Sequence, residues 1–150
     1  MRFWLLAAAL LVCSACYRIA GPAEAGDTIR LEFAGNQSIL VRAQSELQRA
    51  VSAALVDRLG WRVGPQGRHR LVISIAEEQV GVTAGDRQGI PGRWRITFPG
   101  TALYEADGQV RSTTYAGIGH ASGLIDEEAA IARAADDAAA HITAWLELSR

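Results

Sequence analysis

The chain has 150 residues, which suits one domain and excludes two of ordinary size. Apolar residues make up 49% and charged residues 21%, the balance of a globular chain and not of a disordered one. A formal net charge of -1 argues against a nucleic-acid partner held by bulk charge; two Cys, both before residue 17, exclude a disulfide framework and a four-ligand zinc site in the body of the protein. All 15 basic residues are Arg, and with the abundance of Ala and Gly this reads as codon bias rather than a demand for guanidinium groups.

The N-terminus reads as an address. Met1 and Arg2 precede an unbroken apolar run from Phe3 to Val12. That run is too short for a bilayer core of ~30 Å, which needs about 20 helical residues, and fits the h-region of a secretory signal. Cys13-Ser14-Ala15-Cys16 follows directly. Small residues before a cysteine at this place resemble the lipobox of bacterial lipoproteins. The resemblance implies cleavage before Cys16 and acylation of that residue, the alternative being a plain secretory signal cut nearby. Residues 1–15 are then a signal peptide, 16–26 a lipidated tether, and 27–150 one domain.

Within the domain the period of apolar residues changes repeatedly. Ile29, Leu31 and Phe33 alternate with polar residues as one face of a strand, broken by Ala34-Gly35-Asn36-Gln37-Ser38. From Leu40 to Leu59 the period is that of an amphipathic helix, and Gly60 stands where a C-cap is expected. Gly64-Pro65-Gln66-Gly67 is a turn. Leu71, Ile73 and Ile75 mark a second strand. Gly81 to Gly92, with four glycines and Pro91, reads as a long loop. Trp94, Ile96 and Phe98 mark a third strand, which Pro99-Gly100 should interrupt before Leu103 to Ala106. Asp107-Gly108 is the preferred pair for a type I′ hairpin turn, returning through Gln109 to Ala116. Gly117 to Gly123 reads as another loop. A closing helix is expected from an N-cap at Asp126 to about Leu148, with Ile131, Ala135, Ala138, Ile142 and Trp145 as its apolar stripe. The predicted fold is α+β: a four-stranded mixed or antiparallel sheet in the order β-α-β-β-β-α, with two helices packed on one face.

Parts for catalysis are lacking. His69, His120 and His141 share no metal-ligand spacing. His120, Ser122 and Asp126 do not form a nucleophile elbow, and the pairs Glu77-Glu78 and Asp136-Asp137 read as solvated surface. No catalytic residue, metal or cofactor is expected. Arg87, Arg93 and Arg95 stand in and just after the first glycine-rich loop; guanidinium forks grip phosphates bidentately, so a phosphorylated lipid headgroup is a ligand they suit. The alternative is the solvent side of an alternating strand. Trp61 and Trp94 are read as core.

Several segments together resemble one family: Cys16-Tyr17-Arg18-Ile19-Ala20-Gly21, then Phe33-Ala34-Gly35-Asn36, then Leu71-Val72-Ile73-Ser74-Ile75, the Asp107-Gly108 hairpin, and Asp126-Glu127-Glu128-Ala129. Element order and lipobox are similar to those of the lipopolysaccharide-assembly lipoproteins, the LptE family. The resemblance implies a non-catalytic outer-membrane lipoprotein on the periplasmic face. Such a protein plugs the LptD β-barrel, helps assemble it and touches lipopolysaccharide. Arg87, Arg93 and Arg95 are the residues expected at that contact, and the two glycine-rich loops are expected to fit the lumen wall. Tyr17, rather than Asp, after the acylated cysteine points to the outer membrane. The second expectation is a lipoprotein adaptor that regulates a periplasmic cell-wall synthase or serves as accessory subunit of an envelope transport complex.

Overall fold

The computed structural model describes residues 27–85, 91–122 and 126–149. Its elements are β1 (Thr28–Asn36), α1 (Ala43–Leu59), β2 (Arg62–Val63), β3 (His69–Ile75), β4 (Gln79–Gly85), β5 (Pro91–Ala106), β6 (Gln109–Ala121) and α2 (Glu127–Leu148). The signal peptide and tether expected at 1–15 and 16–26 lie outside the described residues, as do Cys16 and Arg87.

The α+β class holds, but the sheet has six strands where four were predicted. β1 pairs with β3 in parallel, so α1 lies on a crossover, and β2 adds a short parallel rung at the outer edge of β1. β5 is antiparallel to three strands. One of its edges carries β6 along nearly its whole length; the other carries β3 and then β4, end to end. β3 and β4 thus act as one interrupted strand.

That arrangement explains two misread segments. Pro99-Gly100 does not interrupt β5. The Pro99 carbonyl accepts the Ala76 N–H at 2.9 Å, so the proline faces the break between β3 and β4, where no strand asks for its missing donor. Of the loop expected over Gly81 to Gly92, both ends are strand and residues 86–90 lie outside the described residues: β4 pairs with β5 through register shifts at Val82/Ala84 and Ala84/Gly85. The break expected after Phe33 is also a bulge, with β1 regaining its pairing at Gly35 and Asn36.

Both helices lie on one face of the sheet. Ile29, Leu71, Ile73, Ile75, Ala102 and Tyr104 point from alternate strand positions into one core with Leu47, Val51 and Leu55 of α1 and Ala135, Ala138, Ile142 and Leu146 of α2. A smaller cluster joins Ile96 and Phe98 to Ala43, Ala130, Ile131 and Ala134. Gly60 closes α1 in the left-handed conformation at φ 67°, as expected. Asp107 and Gly108 take φ 51° and 76°, which fits the type I′ hairpin turn. Asp126 precedes α2 but its side chain makes no capping hydrogen bond, contrary to expectation.

The second predicted loop, Gly117 to Gly123, is strand as far as Ala121. Its glycines serve closeness and not flexibility. A Cβ on Gly117 would lie 2.0 Å from the Ala134 carbonyl oxygen, and one on Gly119 would lie 1.9 Å from that of Ala130. Only glycine lets α2 lie this close to β6.

At that distance α2 also covers the outer edge of β6. Arg133 Nε donates to the His120 carbonyl at 3.1 Å, Asp137 Oδ2 accepts the Ile118 N–H at 2.9 Å, and His141 Nδ1 meets the Ala116 carbonyl at 3.0 Å. Four helical residues rise about 6 Å and two strand residues about 6.7 Å, so side chains at every fourth helix position reach every second strand residue. Asp137 is therefore not merely solvated surface. Glu78 is buried and accepts the Ile39 N–H at 3.2 Å, a second departure from the expected solvated pairs.

Candidate docking surface

The strand register that sends Leu71, Ile73 and Tyr104 to the helices sends Arg30, Glu32, Arg70, Val72, Leu103 and Glu105 to the opposite face. Arg93, Arg95, Thr97 and Thr101 of β5 lie on that face too, and no described side chain on it is buried. Among the described residues, a face of the sheet is thus left without a second layer. Antiparallel sheets tolerate this when the face is polar.

Its centre is an ionic ladder across three strands. Arg70 donates from Nε and Nη2 to Glu32 Oε2 at 2.9 and 2.7 Å, and from Nη1 to both oxygens of Glu105 at 3.2 and 3.0 Å. Arg30 Nε lies 2.7 Å from Glu32 Oε1. The hydrogen bond from Arg70 holds the Glu32 carboxyl below its ordinary pKa of 4.5, and the same bond raises Arg70. Further along the face, Ser74 Oγ and Thr101 Oγ1 share a 2.6 Å hydrogen bond.

Because the folded-state pKa of Glu32 is depressed, the ladder stabilises the fold above about pH 4.5 and loses its effect as pH falls through the lower folded value. Glu32→Gln should therefore unfold at a lower temperature than the natural chain at pH 7. The two midpoints should converge in acid, read by circular dichroism across a pH series. The difference is small because both groups are solvated.

Arg93 and Arg95 are exposed on this face, two residues apart on β5, so their side chains point the same way. The structure thus sets two of the three predicted arginines on one surface. Trp61 is buried at 4% exposure, as expected for core. Trp94 is half-buried against the smaller cluster, and among the described residues its Nε1 has no hydrogen-bond partner.

A cleft of about 430 Å³ opens at the other end of the sheet, lined by Asp27, Trp61, His69, Tyr104, Arg111 and Ser149 among others. In the sequence His69 shares no metal-ligand spacing with His120 or His141. It stacks on Trp61 at 5.3 Å with planes 7° apart, and its Nδ1 lies 2.9 Å from the Tyr104 hydroxyl. The rings consequently cover one another and pin the ends of β3 and β5. Across the described residues no group of three or more His, Cys, Asp or Glu side chains is arranged to hold a metal ion. No described helix is long and apolar enough to cross a membrane.

Neither a protein family nor a curated protein matches the chain. Solved structures do. The PelC dodecamer from Paraburkholderia phytofirmans superposes with a TM-score of 0.51 at 13% identity, over 79% of this chain and 88% of that one. The hypothetical protein CT253 from Chlamydia trachomatis gives 0.52 at 9%, over 81% and 96%. Rare lipoprotein B from Shewanella oneidensis gives 0.46 at 11%, over 81% and 97%. At these identities the likeness is one of fold, and it rests on the first two.

Proposed function

We propose that the chain is a non-catalytic lipoprotein of the bacterial envelope, acylated at Cys16, that works by docking its uncovered sheet face against a larger partner. The observation that carries this reading is that face: a broad polar surface with its charges prearranged, on a domain whose other face is fully used by two helices. The lipobox supplies the anchor, so the domain needs no membrane-inserting surface of its own.

In its specific form, the reading is that of a plug and assembly partner of the LptD β-barrel, on the periplasmic face of the outer membrane. The resemblance of residues 16–129 to the LptE family supports it. Arg93 and Arg95, with Arg87, would then meet the phosphates of lipopolysaccharide. The described parts of the glycine-rich segments are strand, so among the described residues it is the open sheet face that would fit a barrel lumen.

A second form is an accessory subunit of an envelope transport complex; the likeness of fold to the PelC dodecamer supports only that it assembles from several copies. Cross-linking in the native envelope, affinity capture and mass spectrometry separate the two. Capture of a large outer-membrane β-barrel supports the plug. Capture of further copies of the chain with a transport complex, and no barrel, supports the second form. Arg93→Ala with Arg95→Ala should leave the fold intact and weaken capture of a lipopolysaccharide-bearing partner.

A further inference from the structure

The row of α2 side chains that covers β6 stops halfway. Arg133, Asp137 and His141 serve the main chain of His120, Ile118 and Ala116. The next position in the series, four residues on, is Trp145. It is half-buried and turns its ring edge-on against Tyr104 at 6.5 Å, so it brings nothing to Thr114. By the alternation of the strand, the N–H and C=O groups of Val110, Ser112 and Thr114 point to the same outer edge. Among the described residues that stretch meets only the Thr113 hydroxyl, 3.3 Å from the Thr114 carbonyl.

The helix changes character at the same level. At 3.6 residues per turn, Arg133, Asp137, His141, Ala144 and Leu148 fall within an arc of about 80°. The outward stripe is therefore polar where the strand edge is covered and apolar where it is bare. Leu148 is 88% exposed on the helical side, and Val110, whose side chain the register sends to the opposite face of the sheet, is 61% exposed. Arg111 ties the two elements together here, donating from Nη1 to the Ser149 carbonyl at 2.6 Å. Natural edges are usually blunted by charge, proline or a bulge. The stretch from Val110 to Thr114 has no proline or bulge, and the three residues with outward main chains are uncharged.

We propose that this bare half-edge is where a second copy of the chain adds its own β6, antiparallel, about a two-fold axis at Ser112. The segment is self-complementary. With Ser112 opposite itself, Val110 faces Thr114 of the second copy, and no like charges oppose each other along the pair. The same register sets the hairpin turn of the second copy at the point where the α2 cover begins. Its Gly108 falls opposite Ala116 and its Asp107 opposite Gly117, which brings a carboxylate beside His141. Pairing therefore ends where the edge is already occupied. The axis also carries the exposed Leu148 side chains of both copies toward each other. The uncovered sheet face stays open in the pair, so this inference stands apart from the identity of the envelope partner.

The test uses the full chain in its native membranes. Ser112→Cys treated with a short bis-maleimide should give a covalent dimer of the chain, and neither the unsubstituted chain nor Asp57→Cys on α1 should. The detergent-extracted natural chain should have the mass of two protomers. Ser112→Pro removes an N–H that points away from β5, so the strand tolerates it. The two pairing hydrogen bonds are lost, and dissociation should rise roughly tenfold or more. A monomeric natural chain, a Ser112→Cys adduct to a different protein in place of a second copy, or a folded Ser112→Pro dimer as tight as the natural one would each overturn the proposal. If Ser112→Pro does not fold, the cross-link and the mass decide it.

Discussion

Alanine at Gly119 should lower the unfolding midpoint of the chain by roughly 10 °C or more, the largest stability effect expected of any single methyl group in the fold. The added Cβ would lie 1.9 Å from the Ala130 carbonyl oxygen and 2.9 Å from the Ala134 nitrogen, both main-chain atoms of α2. No side-chain rotation relieves such a contact, so the helix must move. When it moves, Ala130 and Ala134 leave the apolar cluster with Ile96 and Phe98, and Arg133 and Asp137 lose the β6 edge. Overpacking alone costs about 1–3 kcal/mol, and the lost contacts add to it. Gly117→Ala should behave alike, since its Cβ would meet the Ala134 carbonyl at 2.0 Å. Gly35→Ala is the matched control. Its Cβ has nothing within 4 Å, and the change should be within about 0.5 kcal/mol. Thermal unfolding followed by circular dichroism on the full chain in detergent reads all three.

The second large effect is all-or-none. Cys16→Ala should abolish incorporation of a labelled fatty acid into the chain, while Cys13→Ala should leave it unchanged. Each buried methylene of an acyl chain adds about 0.8 kcal/mol of membrane affinity, and one chain alone binds only marginally. The lipobox resemblance implies several chains on this one residue, which would make the anchor stable. Label retained by Cys16→Ala and lost by Cys13→Ala would move the acylation site three residues upstream.

The two predictions draw on features with opposite legibility. The apolar periods of Leu71 to Ile75 and of Leu40 to Leu59 are strong because each element has one buried and one open face; the strand appears where its period places it, and the helix begins three residues later, at Ala43. So does the hairpin at Asp107-Gly108, because few residue pairs accept positive φ twice. Glycine misled for a physical reason. Gly117 and Gly119 look like loop residues in a sequence, yet here they are strand positions emptied to admit a helix backbone. Pro99 looks like a strand breaker, and would be one in a fully paired strand; it is harmless opposite the β3–β4 break. β2 has only two residues and shows no period at all.

The surface was legible only in part. Alternation from Arg93 to Phe98 correctly separates the two faces of β5, but nothing local says that the face of Arg93 and Arg95 lacks a second layer. The ionic ladder joins residues 30, 32, 70 and 105, which only the strand register brings together. The cover on β6 did leave a signal: polar residues at 133, 137 and 141 keep a four-residue spacing beside an alanine stripe. Reading Asp137 with its neighbour Asp136, rather than with its helical partners, hid it.

Docking through the uncovered sheet face is tested most directly by a photo-cross-linking residue placed at Thr97, on that face, and at Asp57, on the exposed side of α1, in the full chain in its native envelope. Thr97 should capture a larger envelope protein and Asp57 should not. Capture from Asp57 with none from Thr97 would contradict it, and would move the docking surface to the helical layer.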